Sequence, residues 1–133
     1  MPYVIAYVCV LIVFGAIDAA WLMPMGPLLY RPALGEILAP NLRIAPAICF
    51  YLMYPAGVVI FAVAPTLRSE SITSGCVLAA LFGAFAYATY DLTNYATLRV
   101  WTLPITVLDI VYGAFASGVA ATAAVFLVRA TTR

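Results

Sequence analysis

Three aspartates interrupt the long apolar runs of this chain, and their chemistry has to be explained first. Asp18, Asp91 and Asp109 each lie inside a stretch apolar enough to cross a bilayer. An acidic side chain in the middle of such a stretch costs about 2.5 to 3.5 kcal/mol on insertion scales. Each carboxyl therefore needs compensation from inside the protein, and we expect all three to face inward.

The three aspartates are predicted to lie at one depth. Each is about five or six residues from the end of its span, which at 1.5 Å per residue places it roughly 7 to 10 Å below the surface. These span ends all open on the same side if consecutive spans are antiparallel. The spacing thus predicts that three carboxyl groups share one layer.

Aromatic and amide side chains surround this predicted layer. Trp21, Asn94 and Tyr112 each follow an aspartate by three residues, so each shares a helix face with it. The second span contributes tyrosines at a similar depth, and Tyr87 precedes Asp91 by four. We predict a polar pocket formed by Asp18, Trp21, Tyr51, Tyr54, Tyr87, Asp91, Asn94, Asp109 and Tyr112.

Several kinds of chemistry fit such a pocket. Closely spaced carboxyls suit a proton or cation relay, or a divalent metal that prefers oxygen ligands. They could equally form a hydrogen-bonded network that only fixes helix packing. A long arginine from the same side, such as Arg31, Arg43 or Arg99, is expected to reach inward and pair with a carboxylate.

The sequence lacks the residues that most metal, haem and nucleophilic catalytic sites require. The chain has no histidine and its cysteines are scattered, so the usual ligand sets for zinc, copper, redox iron or haem cannot be built. No nucleophile and base pair is visible either. We therefore assign no catalytic residue, no metal site and no cofactor from the sequence.

The composition defines the elements that must position the aspartates. Of 133 residues, 67% are hydrophobic and 8% charged, with a mean hydropathy of +1.13. These values exclude a soluble globular domain and a disordered chain. The net charge of +1 gives no basic face for nucleic acid. The chain is predicted to be an all-α integral membrane protein.

Four stretches are long enough to span a bilayer, which takes about 20 apolar residues each. They cover approximately residues 3–23, 44–64, 72–94 and 103–128 of a single membrane domain, 1–133. Short links predict an antiparallel four-helix bundle. The prolines of residues 24–43 argue against a long helix there, and Pro55 is expected to kink the second span. Tyr3, Tyr30 and Trp101, near span borders, are typical of interfacial anchors.

Small residues occur at helical spacing next to the aspartates. Gly83 precedes Tyr87 and Asp91 on one face, and Gly113 and Ser117 follow Asp109 on another. Small side chains let helices approach closely in lipid. This pattern predicts that the aspartate faces of the third and fourth spans pack together.

Segments from all four spans resemble one known family. They are the runs 87–94 and 109–113, with 18–22 and 50–54 in the first two spans. They are similar to the DUF2177 family of small bacterial membrane proteins. The resemblance implies a multi-pass protein of the bacterial inner (cytoplasmic) membrane and implies no established activity.

Three functions remain as hypotheses. The first is an intramembrane polar pocket that binds or moves a small solute, a proton or a lipid headgroup, with transport requiring a homo-oligomer. The second is an accessory subunit of a larger respiratory or photosynthetic membrane complex, in which the aspartates serve helix packing. A lipid-modifying enzyme ranks last because no reactive pair is visible. The lipid bilayer is the expected partner in each case, and three arginines on each side leave the orientation undecided.

Overall fold

The computed structural model describes residues 1–132 and confirms the all-α membrane class. About 86% of the chain is helical, with no strand in the described residues. Four helices are long and apolar enough to cross a membrane. They are α1 (Pro2–Leu34), α2 (Ile44–Ser69), α3 (Ile72–Thr97) and α4 (Leu103–Thr131).

Helix α1 continues well past the predicted end of the first span. It is α-helical to Met25, widens into a π turn at Gly26–Tyr30 and closes with an α turn at Arg31–Leu34. Our expectation that the prolines exclude a long helix here was wrong. Residues 35–43 alone connect α1 to α2.

Both π turns lie where a proline ring would otherwise strain the helix. A proline clashes with the carbonyl four residues earlier. For Pro32 and Pro65 that carbonyl lies inside a π turn, at Gly26–Tyr30 and at Val59–Val63. The wider turn moves these carbonyls away, so the helix axis continues. Helix α2 therefore extends beyond residue 64.

The link between α2 and α3 is shorter than the predicted residues 65–71. Helix α2 ends at Ser69, and Glu70 adopts a left-handed conformation with a φ of 64°. Ser71 then caps α3 by accepting a hydrogen bond from the Ser74 N–H at 3.2 Å. This tight reversal brings α2 and α3 together as neighbours.

Helix α4 is the central helix. Half of its most apolar window is buried, compared with 17% for α3. It packs along α3, its most extensive partner, and also along α1. Gly83 of α3 lies against the carbonyl of Gly113 and the side chain of Ser117, where a Cβ would clash. The small residues thus allow the close contact that their spacing predicted.

Apolar side chains fill the interior of the half of the protein that includes Pro2 and Glu70. Phe14, Val58, Val63 and Val125 are almost completely buried there, together with a row of small residues on α4. A second, smaller cluster of Leu34, Trp101 and Ile105 lies at the opposite end. It forms because the extended α1 reaches the start of α4.

Candidate functional site

The carboxyl of Asp18 is held by tyrosines from two other helices. Asp18 lies on α1 and is 6% exposed. Tyr112 of α4 donates its O–H to Oδ1 at 2.6 Å, and Tyr51 of α2 donates to Oδ2. Both oxygens are therefore satisfied by uncharged donors, and the carboxyl joins three helices.

Asp109 on α4 is the centre of a second hydrogen-bonded group. The Tyr30 O–H donates to its Oδ1 at 2.5 Å, and the indole N–H of Trp21 donates to the Tyr30 oxygen at 3.0 Å. The ring of Trp21 also stacks on that of Tyr112, with centroids 4.6 Å apart. This stack connects the Asp109 group to Asp18.

Asp91 lies behind Asp109 and is completely buried, with 0% of its surface exposed. Its carboxyl lies close to the Asp109 carboxyl, and neither of its oxygens has a hydrogen-bond partner among the described residues. Asp91 is therefore a buried carboxyl beside a second one, with no donor among the described residues to compensate it.

A cavity of about 850 Å³ opens beside these groups. The two hydrogen-bonded aspartates, Asp18 and Asp109, form its polar wall. Most of the remaining wall is aromatic and apolar, with contributions from all four helices and from the first part of the α1–α2 connection. This composition gives a largely apolar chamber with an acidic patch.

Tyrosine rings order the wall between the acidic groups and the apolar core. The rings of Tyr54 and Tyr87 meet edge to face at 6.1 Å, as do those of Tyr87 and Tyr112 at 6.0 Å. Tyr54 also shares a hydrogen bond of 2.7 Å with Ser117. These contacts fix ring orientation, since aromatic pairs favour edge-to-face geometry.

The predicted site residues fall into three groups. Those that line the cavity are Asp18, Trp21, Tyr54, Tyr87, Asp109 and Tyr112. Tyr51 and Asp91 lie behind the wall and touch it through Asp18 and Asp109. Asn94 is half-buried beside Tyr90 and does not line the cavity.

Two lining residues have roles other than those we expected. Tyr30 is a hydrogen-bond donor to Asp109, and Trp101 is 6% exposed, so both side chains are engaged inside the protein. Trp101 packs its ring edge to face with Tyr90 at 5.4 Å. Both positions depend on the continuation of helix α1 through its prolines. No feature of the sequence predicted that continuation.

The expected arginine partners are replaced by tyrosines. All side-chain hydrogen bonds from N–H or phenolic donors to the three aspartates, within residues 1–132, come from Tyr30, Tyr51 and Tyr112. Arg31 lines the cavity, but its side chain is exposed. Within residues 1–132 the acidic wall is thus held by uncharged donors.

A metal site built from protein side chains alone does not appear in this part of the chain. Among residues 1–132, no three His, Cys, Asp or Glu side chains form a group that could hold a metal ion.

Comparison with known proteins relates this chain to one family of membrane proteins. Neither the curated proteins nor the solved structures gave a match to this chain. A family model described as a predicted membrane protein matches residues 3–126, which include all three aspartates and every tyrosine that binds them. The chain belongs to the DUF2177 family.

Proposed function

We propose that this protein binds an amphipathic molecule, a lipid or a lipid-like solute, in the cavity beside Asp18 and Asp109. One observation carries the proposal: a chamber of about 850 Å³ with a carboxyl and tyrosine wall lies within the membrane-spanning part of the protein. Its volume falls within the range of ligand pockets, which is about 300 to 1,000 Å³.

The rim of the cavity supports an occupant that comes from the bilayer. Leu22, Leu38 and Met53 line the cavity and are also 44%, 46% and 64% exposed. An apolar rim favours entry of hydrocarbon and disfavours entry of a fully hydrated solute. The polar wall then receives the headgroup, because a carboxyl and several hydroxyls converge on it.

The packing beyond the cavity favours binding over passage. Phe14, Val58, Val63 and Val125 fill the interior towards the Glu70 end, each with 2% or less of its surface exposed. A solute that crossed the protein would have to displace this core. We therefore propose that the site binds its ligand and does not conduct it across the membrane.

Tryptophan fluorescence tests this proposal. Trp21→Phe leaves Trp101 as the sole tryptophan, a side chain that lines the cavity and is largely shielded from the surrounding bilayer. In vesicles of phospholipid brominated on the acyl chains, we expect strong quenching of Trp101, since bromine quenches only on close approach. Unquenched Trp101 would overturn the proposal.

A matched pair of glycine variants locates the quencher. Gly15 and Gly26 both lie on α1 and both have open space where a Cβ would be added, but only Gly26 lines the cavity. Gly26→Phe should relieve the quenching and Gly15→Phe should leave it unchanged. Equal quenching in both variants would place the lipid outside the cavity.

The accessory-subunit hypothesis makes a different prediction. Large exposed side chains such as Phe85, Phe115 and Phe126 give the protein an apolar exterior that could contact other subunits as well as lipid. Extraction in mild detergent followed by mass measurement distinguishes the two. A stoichiometric complex with other chains, together with unquenched Trp101, would favour the subunit hypothesis.

A further inference from the structure

The charges around the cavity are unbalanced. Two carboxyls form its wall and the Asp91 carboxyl lies directly behind, whereas the lining contains one basic side chain, the exposed Arg31. The tyrosines that bind Asp18 and Asp109 are uncharged donors, so they add no positive group to this wall. In a medium of low dielectric constant, such an acidic wall attracts a positive group strongly.

Asp91 provides a second, independent sign that the acidic wall is incomplete. It is 0% exposed, and neither oxygen accepts a hydrogen bond from an N–H or phenolic donor of residues 1–132. Buried carboxyls nearly always have such donors, because an unpaired polar group is costly in the interior. Asp109, which lies beside it, faces the cavity.

The aromatic walls suit a positive group as well. Trp21 and Tyr112 are stacked beside Asp18, and Tyr87 meets Tyr112 edge to face. The face of an aromatic ring attracts a cation, most strongly when water is excluded, and quaternary ammonium groups are commonly recognised by such rings. Acidic and aromatic side chains therefore point to the same ligand chemistry.

We propose that the headgroup bound in this cavity is an organic cation, an amine or a quaternary ammonium, seated between Asp18 and Asp109 with its apolar part at the Leu22 and Met53 rim. This inference rests on the proposed function and names the class of its ligand. The carboxyls provide the charge, the rings enclose the headgroup, and the rim receives the chain.

Two probes of equal chain length and opposite charge test the inference. The protein in nanodiscs of uncharged lipid is titrated with decyltrimethylammonium or with decyl sulfate, and the fluorescence of Trp21 and Trp101 is followed. Both tryptophans line the cavity and the chain has no others. We expect a saturable change with the cation and none with the sulfate. Equal responses would overturn the inference.

Variants assign the selectivity to the acidic wall. Asp109→Asn should weaken binding of the cation roughly tenfold or more, a loss typical of removing one member of a buried charge pair. Glu36→Gln, an exposed acid outside the cavity lining, should leave it unchanged. Unchanged affinity in a folded Asp109→Asn variant would contradict the inference. If that variant does not fold, the comparison of decyltrimethylammonium with decyl sulfate on the natural chain is the test.

A neutral probe separates this inference from the proposed function. If decanol competes as well as the cation and Gly26→Phe abolishes both, the cavity binds amphiphiles without charge selection, so the inference fails and the proposed function stands. If no probe saturates and brominated lipid leaves Trp101 unquenched, both fail.

Discussion

Tyrosine hydroxyls compensate the acidic side chains of this protein, where arginine was expected. Burying an arginine beside Asp18 would remove a second charge from water, and the cost of that can exceed the attraction gained. A tyrosine donates a hydrogen bond without adding a charge. Tyr51 and Tyr112 thus donate to both oxygens of Asp18 without bringing a second charge into the interior.

Removing the Tyr112 hydroxyl should destabilise the protein. Tyr112→Phe leaves Asp18 Oδ1 without its 2.6 Å hydrogen bond in a buried position, which costs about 1 to 3 kcal/mol. Tyr95→Phe, at a residue that is 46% exposed, is the control and should change the free energy of unfolding by less than about 0.5 kcal/mol. Unfolding by a denaturing detergent measures both. Equal effects would show that the Asp18 bond carries no stability.

The neighbouring carboxyls of Asp91 and Asp109 predict unequal effects for two substitutions of Asp91. Asp91→Asn keeps the shape and supplies an N–H donor to Asp109, so the free energy of unfolding should fall by less than about 1 kcal/mol or rise. Asp91→Ala leaves a void in a completely buried position, at a cost of about 2 to 4 kcal/mol. The same unfolding assay compares them. A loss in Asp91→Asn as large as in Asp91→Ala would show that Asp91 needs its own charge.

The sequence predicted the acidic residues of the site better than their partners. An aspartate in an apolar run has to face the protein interior, and counting residues from the span ends predicted one depth for Asp18 and Asp109. Both side chains line the same cavity. Tyr30 could not be found in this way. Its hydroxyl reaches Asp109 only because α1 continues through Gly26–Tyr30, and a tyrosine near a span border is more typical of an anchor.

At the level of helices, the α3–α4 contact depends on missing side chains. Gly83→Ala should place a methyl group against the Gly113 carbonyl and Ser117, at a cost of about 1 to 3 kcal/mol in unfolding free energy. Gly118→Ala, on the same interface, is the control: its Cβ would lie at ordinary contact distances, 3.7 Å from Ala80 Cβ. That variant should be unchanged or more stable by up to about 1 kcal/mol. If both variants lose equal stability, the interface is not as close as the structure has it.

Helix boundaries were harder to predict than helix faces. The face of α3 follows from small residues recurring every four positions, and Gly75, Ala79 and Gly83 are indeed buried. The length of α1 depends on how the backbone absorbs its prolines. Local sequence indicates a break at Pro27 and Pro32, whereas a π turn resolves the clash and contact with α4 stabilises the extension.

At the scale of the whole molecule, the two ends differ in how their interiors are packed. One end contains the packed apolar core of Phe14, Val58 and Val125, and the other contains the cavity and its acidic wall. Helix α4 connects them, since Asp109 and Val125 both lie on it. A rigid core at one end allows a cavity at the other, because the helices are already fixed relative to one another.

Four crossings place the cavity near one surface of the membrane. Residues 35–43 and 98–102 should lie on that side, and the Glu70 reversal on the other. The three natural cysteines are free, so they can be replaced by serine without loss of a disulfide. In that background, we expect a membrane-impermeant maleimide to label Ala39→Cys and Arg99→Cys from one side of sealed vesicles.

The Glu70→Cys variant should react with the same reagent only from the opposite side, or after the vesicles are permeabilised. All three positions are exposed, so a difference in labelling reports the side of the membrane and not burial. Labelling of all three from one side would contradict the four crossings. It would also remove the physical basis of the site, since Asp18, Asp91 and Asp109 share one depth only if consecutive helices alternate in direction.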